Sequence, residues 1–214
     1  MFAKRKFTFL TPLGAARFLV GAAVLMALAA PALAQFQNGD FCTYTQGGWG
    51  SVPQGNNPGT ILRDSTIFTF PVSVGTGYSM TFKTADAITA YLPAGSKPKP
   101  LTMNYENPPT TSSGVFGGQV LALQLNVTLD PAGFGGLVII NTGTFFDGMT
   151  VGDVLEAANL ALGGGALPSG YTIPKLNDLV SFLNQDFDNC LPSGWAQQFL
   201  TPVSGGGDPP PPPF

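Results

Sequence analysis

Carboxylates dominate the chemistry open to this 214-residue sequence, which carries 12 Asp and Glu and no histidine. Without histidine there is no Ser-His-Asp or Cys-His nucleophile system, no His-ligated zinc and no imidazole proton shuttle. Asp147, Asp153 and Glu156 gather around the start of one expected helix, and Asp178, Asp186 and Asp188 fall along another. Two such acids facing each other about 5 to 10 Å apart would make a glycosidase-like pair. Asp153 and Glu156 lie three apart on a first turn, where acids also occur simply to oppose the helix dipole. Asn184-Gln185-Asp186-Phe187-Asp188-Asn189 offers oxygens to calcium but lacks the Gly turn and final Glu of an EF-hand loop, so a capped helix end is the simpler reading. No P-loop is present. The sequence therefore names no catalytic residue, no metal ligand and no cofactor.

Two aromatic residues stand out as a binding surface. Tyr44 and Trp49, set among Thr, Ser and Asn, suit contact with a sugar or an extracellular protein. Burial of Trp49 in the core beside the disulfide region is the competing and favoured reading, because an indole gains so much from burial. Asn126-Val127-Thr128 matches the glycosylation triplet within an expected buried helix.

The compartment follows from the N-terminal residues. Lys4, Arg5, Lys6 and Arg17 precede an uncharged apolar run over 18–30, shorter than the roughly 20 residues a membrane span takes. Pro31 and the small-x-small triplet Ala32-Leu33-Ala34 then set a signal-peptidase cut between Ala34 and Gln35. A retained anchor is the other reading of residues 1–34; after cleavage no permanent membrane span is left. The mature part keeps five basic and twelve acidic side chains, a formal charge of −7. That sign disfavours nucleic acid and anionic membranes as partners. Export, to the medium or to the periplasm or cell surface, brings Cys42 and Cys190 into an oxidising compartment, where a disulfide is expected over two free thiols.

Periodicity predicts the elements that would hold these residues. Residues 66–70 and 78–82 alternate like the arms of a hairpin around the loop 71–77. Thr84 caps a short helix that Pro93 stops, and the proline-rich stretch 94–113 reads as a surface loop. Odd positions 121–129 are all apolar, as in a strand, while Phe116, Val120, Leu123 and Val127 form a helical stripe; Leu, Ala and Gln favour a buried central helix, with Ser112 or Ser113 as its cap. Residues 137–140 form a short strand or a buried turn. Thr150 with Asp153 opens a helix that Gly163 ends, and Pro174 opens the last helix, whose buried stripe is Leu176, Leu179, Val180, Leu183 and Phe187. Beyond a domain over 35–203, residues 204–214 carry three Gly and a run of five Pro. This tail reads as a flexible hinge and a polyproline II segment, solvated or docked as a peptide.

Cys42-Thr43-Tyr44-Thr45-Gln46-Gly47-Gly48-Trp49 resembles the opening of secreted bacterial proteins of unknown function that begin Cys-Thr-x-Thr-Gln-Gly-x-Trp. Their continuation resembles Gly118-Gln119-Val120-Leu121-Ala122-Leu123-Gln124-Leu125-Asn126-Val127, and their end resembles Phe187-Asp188-Asn189-Cys190. The resemblance covers most of 42–190 and implies the central helix and the disulfide. Many members carry Lys-Asn-His-Pro after the Trp where this chain has Gly50-Ser51-Val52-Pro53, so no role passes to a Lys or His here.

The expectation is an α+β domain, mainly α: one hairpin, three or four packed helices and one disulfide. Its expected function is that of a secreted or surface-associated, non-catalytic binding or structural domain, with an extracellular carboxylate-dependent hydrolase as the alternative. No sequence feature sets an oligomeric state.

Overall fold

The computed structural model describes residues 36–131 and 133–202; the expected signal peptide, the expected cut between Ala34 and Gln35 and the tail lie outside the described residues. In chain order the elements are α1 Gln46–Trp49, α2 Pro58–Ile61, β1 Val72–Val74, β2 Met80–Phe82, α3 Ala85–Tyr91, β3 Tyr105–Glu106 and α4 Val115–Leu129. A 3-10 turn, Phe134–Gly136, leads to β4 Val138–Ile139, α5 Val151–Leu162, α6 Ile173–Gln185, α7 Gly194–Phe199 and β5 Leu200–Thr201. The fold is α+β and mainly α, tied by a disulfide between Cys42 and Cys190. No helix among the described residues is long and apolar enough to cross a membrane.

The centre is α4, which packs against α5 and α6. Phe116, Val120, Leu121, Ala122, Leu123 and Leu125 are all fully buried, so the helix is apolar on every side, as an enclosed helix must be. Each such Leu or Val contributes about 1.5 to 3 kcal/mol relative to exposure. The cap differs from expectation. Neither Ser112 nor Ser113 caps α4; Gly114 does, at φ 58°, and a Cβ there would fall 2.2 Å from the Lys97 carbonyl oxygen. Ser113 is buried instead, its hydroxyl 2.6 Å from that of Thr111.

α5 and α6 begin as the sequence predicts. Thr150 and Asp153 form a reciprocal capping box at α5. Pro174 occupies the first turn of α6 behind the Thr172 cap, and Leu176, Leu179, Val180 and Leu183 turn inward. Likewise Thr84 caps α3, which ends before Pro93.

The hairpin is displaced from its predicted position. β1 pairs antiparallel with β2 in the register Val72↔Phe82, whereas residues 66–70 form no strand. The Asp64 carboxylate accepts from Thr66 N (2.8 Å) and Thr66 Oγ1 (2.7 Å), and the Asp64 carbonyl accepts from Phe68 N. These local bonds wind the segment into a turn and outweigh its β-rich composition. The stretch 94–113 is also more than a surface loop: Leu101 is buried, and β3 adds to β2 in parallel, Met80↔Tyr105. A second small sheet pairs β4 with β5 antiparallel, Ile139↔Leu200. That strand partner, and α7 before it, escaped the sequence reading.

Candidate functional site

The N-terminal segment that carries the resemblance is held by a buried polar network. The Asn126 side-chain oxygen accepts from Tyr44 N (2.9 Å) and from Trp49 Nε1 (3.0 Å); its Nδ2 donates to Tyr44 O and to Asn184 Oδ1. Asn184 Nδ2 donates in turn to Gln119 O and Oε1. Thr43 Oγ1 donates to Asn184 O and accepts from Phe187 N. Every hydrogen-bonding atom of the Asn126 amide group is engaged and the residue is fully buried, so the triplet at 126 presents no acceptor for a glycan in the folded chain.

Trp49 is fully enclosed and stacks edge-on against Tyr44 and Phe68, as the favoured core reading had it, which removes it from the possible binding surface with Tyr44. The ring cluster nearest the disulfide in sequence is instead Phe36, Phe41 and Phe187. Tyr44 is half-buried on the rim of a shallow depression with Cys42, Ile61 and Asp130. Burial, and then the charge of Asp188, raise its hydroxyl pKa.

A larger concavity lies where α6, α7 and the loops at 142–145 and 169–171 meet. It is an open cleft of about 610 Å³, walled by Phe145, Tyr171, Phe182, Trp195 and Phe199 together with Thr142, Thr144 and Ser169. Phe182 and Trp195 are nearly parallel, 8° apart with centroids at 6.0 Å, and Phe182 is 48% exposed although it sits on a helix of the core. Lys175, Asp178 and Phe182 share the outer face of α6 by their spacing of three and four.

Two carboxylates shape this cleft without lying in it. Asp147 accepts from Thr142 N (2.9 Å) and from Gly143 N (2.8 Å), and so folds the Thr142–Thr144 wall into place. Its burial acts to raise its pKa, but the bonds from Thr142, Gly143 and Thr144 together hold it below the usual carboxylate range. Asp186 follows α6 and is 1% exposed. Its Oδ1 accepts from Ser193 Oγ at 2.6 Å, its carbonyl accepts from Ser193 N at 2.7 Å, and Oδ2 is a buried oxygen with no partner. Burial pushes its pKa from an ordinary 3.8 up to about 7. Ser193 Oγ also accepts from Ala196 N as the cap of α7, so Asp186 and Ser193 fix the helix that presents Trp195.

The remaining acids are spread apart. Asp153 is engaged in the capping box, Glu156 lies in another depression with Ser73 and Asn159, and Asp188 accepts from Asn189 Nδ2. Asp178 is the one acid lining the aromatic cleft among the described residues. The oxygens of 184–189 likewise point to separate partners: Asn184 to α4, Asp186 to Ser193 and Asp188 to Asn189. Among the described residues no three acids, histidines or cysteines group as metal ligands.

Sequence reasoning missed this cleft because Trp195 and Phe199 sit in a six-residue helix too short for periodicity to reveal. One sign was available: Phe182 is an aromatic residue on the charged face of an amphipathic helix. No protein-family model, curated protein or solved structure matches the chain.

Proposed function

We propose that the protein is a secreted or surface-associated, non-catalytic binding module, and that its ligand surface is the aromatic cleft. The observation that carries this reading is the nearly parallel pair of exposed Phe182 and half-buried Trp195 lining a concavity that also holds hydroxyls, one cation and one anion. Exposed aromatic faces stack on the apolar side of a sugar ring or of an extended peptide, while hydroxyls, Lys175 and Asp178 orient its polar groups. The cleft volume lies within the roughly 300 to 1,000 Å³ of ordinary ligand sites. The export signal and the disulfide support an extracellular partner, either a protein or a glycan.

A carboxylate-pair hydrolase would need a second acid across the cleft from Asp178, and among the described residues no other acid lines it. The secreted bacterial family with the Cys-Thr-x-Thr-Gln-Gly-x-Trp opening is proposed as the wider kin of this chain. In this chain the corresponding residues serve to hold the N-terminal segment: Thr45 caps α1, Trp49 binds Asn126, and Cys42 bridges to Cys190.

The test is to probe arrays of extracellular glycans and peptides with the oxidised protein and with Phe182→Ala/Trp195→Ala and Tyr44→Ala variants. The double variant is expected to lose at least about tenfold in affinity for whatever the protein retains, as aromatic anchors do, while Tyr44→Ala retains it. Unchanged binding by the double variant would overturn the reading.

A further inference from the structure

Residues 208–214, Asp-Pro-Pro-Pro-Pro-Pro-Phe, form a motif that neither the fold nor the binding reading has used. We propose that this segment docks in the aromatic cleft of its own chain and covers it until an external ligand displaces it. The proposal rests on the cleft being a binding surface and adds its regulation.

Chemistry supports the match. Polyproline II segments are recognised by grooves lined with exposed aromatic rings, because the pyrrolidine rings pack flat on them and the helix is already extended before it binds. The wall from Lys175 to Phe182 runs along α6 for about 10 Å, the length of roughly three prolines at 3.1 Å each. Lys175, Tyr171 and Trp195 bring N–H and O–H donors to that wall for prolyl carbonyls, which have no intrahelical partners. Asp208 is the only charged side chain of the segment, and Lys175 is the one cation lining the cleft among the described residues. Pairing the two sets the direction, with the prolines passing from Lys175 toward Phe182 and Trp195.

Reach supports it as well. Phe199 lines the cleft, and its carbonyl accepts from Ile140 N at 2.9 Å. β5 then runs antiparallel to β4, away from the Thr142–Phe145 wall, so Pro202 lies about 10 Å beyond Phe199. Residues 203–207 span up to about 17 Å when extended. Their three glycines accept either sign of φ, which a reversal of direction requires. Such a linker holds the segment at an effective concentration of about 3 mM, so even a free-peptide Kd of about 1 mM gives roughly three-quarters occupancy.

Acrylamide quenching of tryptophan fluorescence in the full exported chain tests this, because Trp49 is 0% exposed and the quenching reads Trp195. The comparison is with a Pro210→Gly/Pro212→Gly variant, in which the run of five prolines is interrupted. Wild type is expected to quench roughly fourfold less than the variant, independently of protein concentration, and about 5 mM of a synthetic 208–214 peptide is expected to restore protection to the variant. Equal quenching of the two proteins overturns the docking. Protection that disappears on dilution also overturns it, by placing the segment on a second copy. A variant that quenches like wild type yet is shielded by the added peptide overturns only the self-covering, since the cleft itself then binds. If the peptide also fails, the array result alone decides whether the cleft binds anything.

Discussion

Asp186 makes folding depend on pH in the direction opposite to most carboxylates. Its carboxyl ionises near 3.8 when exposed and near 7 in the folded chain, because burial disfavours the anion more than Ser193 and Ala196 can compensate. The stability associated with this group is therefore fully present below about pH 4 and is lost as pH rises through about 7. Between pH 4.5 and 8 the loss is about 3 kcal/mol, from about 1.4 kcal/mol for each pH unit over which the unfolded chain is ionised and the folded chain is not. Asp186→Asn keeps an oxygen to accept from Ser193 Oγ but cannot ionise. Urea unfolding of the oxidised wild type and the variant, at pH values from 4.5 to 8.5, gives their difference in stability, in which the other acids cancel. The variant is expected to gain about 3 kcal/mol on wild type over that range, with the change concentrated between pH 4.5 and 7. A difference that stays flat with pH, or that favours wild type as pH rises, would refute the burial argument. The consequence reaches the cleft, since Asp186 and Ser193 hold the helix carrying Trp195.

Other perturbations follow from single contacts. Replacing Cys42 and Cys190 together by Ser opens a loop of sequence separation 148 and should cost roughly 4 to 5 kcal/mol at most, read as a fall in the urea midpoint. Asn126→Ala strands Trp49 Nε1 and Tyr44 N and should cost about 3 kcal/mol or more by the same assay, with a changed Trp49 indole resonance. Gly163→Ala would place a Cβ 1.8 Å from the Thr76 carbonyl oxygen, so a destabilisation of about 3 kcal/mol is expected in thermal unfolding. Trp195→Ala, on the partly open wall, should change stability by less than about 1 kcal/mol while removing ligand binding.

Features encoded within a few residues were legible. Thr84 before α3, the Thr150 and Asp153 pair before α5 and Pro174 in α6 each act on their own backbone, so the sequence locates them closely. The helical reading of α4 rested on propensity against an equally good strand alternation, and its enclosure by α5 and α6 explains why no face was polar. Pairings across long separations were not legible. β3 joins β2 from within a proline-rich stretch, and β5 joins β4 across about 60 residues, a choice made by packing alone. The hairpin was misplaced because Asp64 turns a β-rich run back on itself. The site suffered most: Trp49 is core, the reading its size favoured, while Trp195 drew no notice and lines the cleft.

The two tryptophans give the most direct measurement. In a spectrum of indole Nε1–H resonances, Trp49 donates to Asn126 inside the core and Trp195 lies on the cleft wall. Titration with a ligand retained from the glycan and peptide arrays is predicted to move the Trp195 resonance and leave that of Trp49 in place. Movement of Trp49 with a stationary Trp195 would contradict the assignment of function to the aromatic cleft.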